Sequence, residues 1–139
     1  MTGIEVSKPI ARLCRWALRA ALLGFALSAL VHVTCFFAPI TLDAALPLHF
    51  GAIILGVPMV VVASVTNPQG AGFSWRLLLR AAAPRVRYAA AGLGLYGALN
   101  VLLLWSQHIP DRQGLSAVWL FAYASIALVY HAVEKQAVA

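Results

Sequence analysis

His32, Cys35 and His49 are the residues of this chain whose types and spacing best suit chemistry. Cys35 follows His32 by three residues, which puts both on one face of a helix. His49 lies just beyond a short stretch, APITLDAA (38–45), that reads as a loop between two apolar runs, so the two imidazoles sit at similar depth. That loop carries Asp43, and a second stretch, QHIPDRQG (107–114), brings His108 and Asp111 to the same end. Imidazole, thiolate and carboxylate together suit a transition metal, with His32, Cys35, His49 and His108 as ligands. The pair His32 and His49 could instead hold haem iron. No HxxxH or CxxC spacing supports either reading. The plainer expectation is that these histidines bond to loop backbone or to lipid headgroups.

Asn100 is the one strongly polar side chain deep within an apolar run. An amide there needs a partner, and Tyr96 (one turn earlier), Tyr123 and Ser125 are the candidates. Such a bond is worth roughly 0.6–2 kcal/mol between helices in lipid. The same three residues Tyr96, Asn100 and Tyr123 could also line a pathway across the membrane. His131, beside Tyr130, reads as interfacial. Absences weigh more heavily. None of the apolar runs contains Asp, Glu or Lys, so the embedded carboxylate that a proton-coupled exporter exchanges protons through is missing. No Ser/His/Asp set, HExxH, phosphate-binding loop or dinucleotide fingerprint occurs. No catalytic residue is assigned.

The elements that must position these groups are membrane helices. The 139 residues are 63% hydrophobic and only 10% charged, far from the quarter charged that soluble domains carry. The apolar residues come in blocks of the length that crosses about 30 Å of hydrocarbon. The blocks lack the alternation of barrel strands, and a backbone in lipid must satisfy its own hydrogen bonds, so they are expected to be helices. The spans are expected at about 20–37, 46–65, 88–105 and 115–133, in one domain covering 1–139. Short connections favour antiparallel neighbours, hence an up-down bundle of four transmembrane helices. Gly51, Gly56 and Pro58 mark close approach and a bend in the second span, and Ala90, Gly94 and Ala98 form a small-residue row on the third. Ser116, Trp119, Tyr123 and Tyr130 lie near one face of the fourth.

Charge sets the orientation. The stretch NPQGAGFSWRLLLRAAAPRVR (67–87) holds four of the ten Lys/Arg and no acidic residue. It reads as a basic cytoplasmic loop, with a short amphipathic interfacial helix over 73–83 that Pro84 ends. Lys8, Arg12, Arg15 and Arg19 recur at steps of four, three and four along the lead-in to the first span, with Ser7 as a cap and Pro9 in the first turn. With Arg76, Arg80, Arg85 and Arg87 they make up the lipid-interface cations. Nine of the ten Lys/Arg fall on one side and Arg112 alone on the other, which places both termini in the cytoplasm of an inner, plasma-type membrane. The net charge of +6 therefore points to anionic headgroups rather than to nucleic acid. A cleaved signal ending near Ala26-Leu27-Ser28 is a rival for the first span, though the apolar run continues beyond it. Cys14 and Cys35 stand 21 residues apart on that helix, roughly 31 Å of rise, too far for a disulfide.

Leu48-His49-Phe50-Gly51 with Pro58, then Trp75, Pro84, Arg87-Tyr88, Tyr96 and Asn100, and finally Trp119-Leu-Phe-Ala-Tyr123 with Tyr130, together resemble a group of short, uncharacterised bacterial four-span membrane proteins. The resemblance covers roughly residues 46–131 and implies four spans and no reaction. It singles out His49, Tyr96 and Asn100 for testing.

These features lead to an integral inner-membrane protein, non-enzymatic, acting as an accessory or assembly component. Its expected partners are anionic lipid headgroups at the cytoplasmic face, and further copies or a larger membrane complex. The alternatives are a redox or metal-binding subunit with haem or a transition metal on the outer histidines, and a small channel or transporter.

Overall fold

The computed structural model describes residues 8–38, 42–65, 83–107 and 112–138. They form four helices: α1 (Lys8–Thr34), α2 (Leu42–Val65), α3 (Pro84–Gln107) and α4 (Arg112–Val138). Three segments, Lys8–Thr34, Leu46–Ser64 and Ser116–Lys135, are long and apolar enough to cross a membrane. The chain is therefore an all-α, multi-span membrane protein. The expected third span is helical throughout, but it does not join those three among the described residues.

Local chemistry explains where the helices begin and end. The basic lead-in and the first apolar run are one helix. It stops at Thr34, short of Phe37, where the Phe36 and Phe37 amides donate to the carbonyls of Val33 and Thr34 in tight turns. Helix α2 starts at Leu42 rather than near Leu46, so half of the expected outer loop, Asp43 included, is helical. Leucine and alanine in that stretch are strong helix formers and carry the helix back past Pro47. Pro84 opens α3 instead of merely ending the segment before it. Its ring suits a first helical position, and the Ala83 carbonyl accepts the amides of Val86 and Arg87 at 2.9 and 3.1 Å. Helix α4 continues beyond Val133, so Glu134 and Lys135, expected in a tail, are helical. The proposed interfacial helix at 73–83, with Arg76 and Arg80, lies outside the described residues apart from Ala83.

The core is an antiparallel pair. Along α4, Ser116, Trp119, Tyr123, Ile126, Tyr130 and Val133 follow one another at alternating steps of three and four, and all are buried. That is the spacing of a coiled-coil seam. Helix α1 meets it with small residues at seven-residue steps, Cys14, Ala21 and Ser28, and with Gly24 between them. Arg15 reaches Glu134 at one end of this pair and His32 reaches Ser116 at the other, so α1 and α4 run in opposite directions. Helix α2 runs parallel to α4, since Leu48 meets Tyr123 and Leu55 meets Tyr130. Helix α3 joins the rest mainly through α4 and runs against it, since Gly94 faces Phe121 while Arg87 shares a cleft with His131.

Successive helices thus alternate in direction, as expected, but they do not share the core equally. Buried residues make up 67% of the α4 span against 22% in α1 and 17% in α2, so α4 is the central post. Lys8, Arg12, Arg15, Arg19, Arg85, Arg87 and Lys135 all lie in the half of the bundle marked by the Arg15–Glu134 contact, here the basic end. The opposite end holds His32 and His49.

Candidate functional site

The buried seam of α4 carries four polar side chains, and each is hydrogen-bonded to another helix. Ser116 Oγ lies 2.7 Å from His32 Nδ1, and Tyr96 Oη lies 2.5 Å from His32 Nε2. One imidazole therefore ties α1 to α4 and to α3. A neutral imidazole has one donor and one acceptor nitrogen, and both are engaged here. The His32 ring also meets Phe36 and Tyr96 edge to face, at centroid distances of 5.3 and 5.7 Å, so it is fixed in orientation as well as in position.

One turn along α4, Trp119 Nε1 donates to His49 Nδ1 over 3.4 Å, a long bond. Tyr123 Oη then donates to the Leu48 carbonyl at 2.8 Å, and Tyr130 Oη to the Leu55 carbonyl at 2.9 Å. Leu55 lies in the turn before Pro58, whose missing amide leaves the adjacent Ile54 carbonyl without its helical donor; Tyr130 bonds the Leu55 carbonyl beside it.

Two glycines make room for Tyr123. A Cβ on Gly24 would overlap the Tyr123 ring, and one on Gly51 would meet its hydroxyl oxygen. The ring is wedged between α1 and α2 with its hydroxyl on the α2 backbone. Ser28, four residues before His32 on the same face, is fully buried, and its Oγ has no partner among the described residues.

The sequence-derived candidates divide accordingly. His32, Tyr96 and Ser116 come together. His49 reaches the same face of α4 one turn away but is exposed. Cys35 is partly buried and is not in a disulfide; His108 and Asp111 lie outside the described residues. Among the described residues no three His, Cys, Asp or Glu side chains gather as a metal site would require. Asn100 is partly buried, and two of its expected partners are otherwise used, Tyr96 on His32 and Tyr123 on Leu48.

At the basic end, Arg15 Nε donates to Glu134 Oε1 at 2.7 Å, and the Arg19 guanidinium lies 5.1 Å from the Trp16 ring centroid. Both arginines thus have partners within the chain as well as access to the interface. Sequence reasoning missed the small-residue face of α1. Its signal was present in the seven-residue spacing of Cys14, Ala21 and Ser28.

No family model, curated protein or solved structure matches this chain.

Proposed function

We propose that this protein is a non-enzymatic accessory or assembly component of a bacterial-type inner membrane, crossing it four times with both termini in the cytoplasm. The observation that carries the proposal is the use made of the polar groups inside the bundle. His32, Tyr96, Ser116, Tyr123 and Tyr130 are all engaged in joining helices. An imidazole bonded at both nitrogens has no free lone pair to offer a metal.

The fourth crossing is assigned to α3, whose 24 residues give about 36 Å of helix against roughly 30 Å of hydrocarbon. The orientation rests on the cations gathered at the basic end, which favour the cytoplasmic side and its anionic headgroups. The assembly role draws on α3, where a Cβ on Gly92 or Gly97 would meet nothing within 4 Å. Small residues with open space around them allow close approach of another transmembrane helix. This reading agrees with the resemblance to short four-span bacterial proteins, which implies no reaction.

Crosslinking in native membranes, followed by native mass spectrometry of the solubilised protein, tests the proposal. The expected result is a defined homo-oligomer or a stable partner, lost on Gly97→Leu. A chain that stays monomeric and alone in both measurements would sink it.

One observation favours a second reading. His32 and His49 contact α4 at Ser116 and Trp119, a single turn apart, so a haem- or metal-binding subunit would have both imidazoles at one level, with His49 exposed and His32 able to ligate only by giving up Ser116 or Tyr96. Its mark would be a Soret band that shifts on reduction and is lost in His49→Ala. The channel reading is weaker, because Tyr123 is closed into a helix joint with its hydroxyl on the Leu48 carbonyl.

A further inference from the structure

An open cleft of about 740 Å³ lies between α1, α3 and α4 in the basic half of the bundle. Its walls are apolar, with Leu18 and Phe25 from α1, Ala90 and Gly94 from α3, and Phe121 and Leu128 from α4. Among the described residues its polar lining is confined to Arg87, Ser125 and His131, and none of them is acidic. We infer that this cleft binds one acyl chain of an anionic phospholipid from the leaflet at the basic end, with the headgroup phosphate held at Arg87 and His131.

Length, charge and shape each support that occupant. On α4 the lining runs from His131 to Phe121, a rise of about 15 Å. That is half of the roughly 30 Å hydrocarbon core, or one leaflet. The cationic side chain is at the basic end, where a headgroup of that leaflet would sit, and Phe25 and Phe121 are the lining residues farthest from it on α1 and α4. Arg87 supplies that cation from the α3 wall, and His131 faces the same cleft from α4. The volume falls within the 300–1,000 Å³ of ordinary ligand sites.

A transmembrane helix of a second copy fits less well. On α3 the lining spans only Val86 to Gly94, about 12 Å, which is too short to seat a helix along its length. The small residues Ala90 and Gly94, expected from sequence to form a helix-packing row, have another consequence here: they hollow the α3 wall. Phe121, the nearest atom to a Cβ on Gly94, is 3.9 Å away.

The inference rests on α3 crossing the membrane, and the experiment separates the two claims. The full chain is placed in nanodiscs of equal phosphatidylglycerol and phosphatidylcholine and released for native mass spectrometry. The wild type is expected to retain one phosphatidylglycerol in preference to phosphatidylcholine. Arg87→Gln, a change at an exposed position, should lower that preference about fivefold, the scale of one cation at a membrane surface. Ala90→Phe, which fills the cleft, should remove bound lipid of both kinds, with circular dichroism reporting that the helices remain.

A wild type released without lipid overturns the inference, as does retention of the two lipids that is equal and unchanged in both variants. So does a lipid-free dimer. Separately, Arg85→Cys and Gln107→Cys in a Cys14→Ala, Cys35→Ala background should react with an impermeant thiol reagent from opposite faces. Labelling from the same face refutes the crossing of α3, whatever the lipid result.

Discussion

The two ends of the α1–α4 pair are held by different forces. At the basic end the seam is almost wholly apolar: Cys14, Ala21, Met59, Val129 and Val133 form one buried cluster, with the Arg15–Glu134 ion pair at its rim. At the histidine end the same seam carries Ser116, Trp119 and Tyr123, all hydrogen-bonded to α1 or α2, and His32 of α1 bonds on to Tyr96 of α3. Among the described residues the basic-end cluster has one such bond, from Tyr130 to the Leu55 carbonyl. Packing in lipid lacks the hydrophobic driving force of water, so helices are held by close fit and by hydrogen bonds that lipid cannot replace. The small residues of α1 supply the fit at both ends. The hydrogen bonds add direction where three helices converge on one imidazole.

That contrast can be broken most severely at Gly24. Gly24→Leu forces its side chain into the space of the Tyr123 ring, and the backbones of α1 and α4 must part. A loss above about 3 kcal/mol is expected, beyond the usual cost of overpacking, read as a large drop in the unfolding midpoint in mixed micelles. A midpoint close to wild type would mean that Tyr123 does not pack against Gly24.

His32→Leu keeps apolar volume but strips two partners at once, leaving the hydroxyls of Ser116 and Tyr96 to find others. The expected loss is about 1–3 kcal/mol. Because Tyr96 is on α3, hydrogen exchange should rise in α3 more than in α2. Equal loosening of both helices would argue against the imidazole as the joint between α1 and α3.

The smallest effect belongs to the basic end. In Glu134→Gln the ion pair is lost, but Arg15 has 53% of its side chain exposed, and exposed pairs contribute only about 0.2–1 kcal/mol. Whatever loss appears should shrink further in high salt. A larger, salt-insensitive loss would show that the basic end depends on charge rather than on packing.

Much of this architecture was legible from residue order. Blocks of apolar residues at membrane-spanning length identified the helices, because a backbone in lipid has few ways to satisfy itself. The polar face of α4 was visible too, since Ser116, Trp119, Tyr123 and Tyr130 recur at helical spacing. Their partners were not visible. Asn100 was matched to Tyr96 and Tyr123 by depth alone, whereas those hydroxyls go to His32 and to the Leu48 carbonyl. Depth places a residue along one axis and says nothing about which neighbour its face meets. The Leu48 and Leu55 carbonyls could not be foreseen as acceptors, because backbone groups carry no sequence signal beyond a nearby proline such as Pro58.

By itself the sequence determined that this chain is an all-α membrane protein with its cations gathered toward one side, because hydropathy and charge are properties of each residue wherever it packs. Only the tertiary structure decided that α4 is the central post, that His32 is a joint with both nitrogens occupied, and that Ala90 and Gly94 border an open cleft rather than a closed seam. These follow from the rotation of each helix about its axis and from which helices adjoin. Both are set by the fit of Tyr123 against Gly24 and Gly51, a contact between residues some 70 to 100 positions apart in the chain.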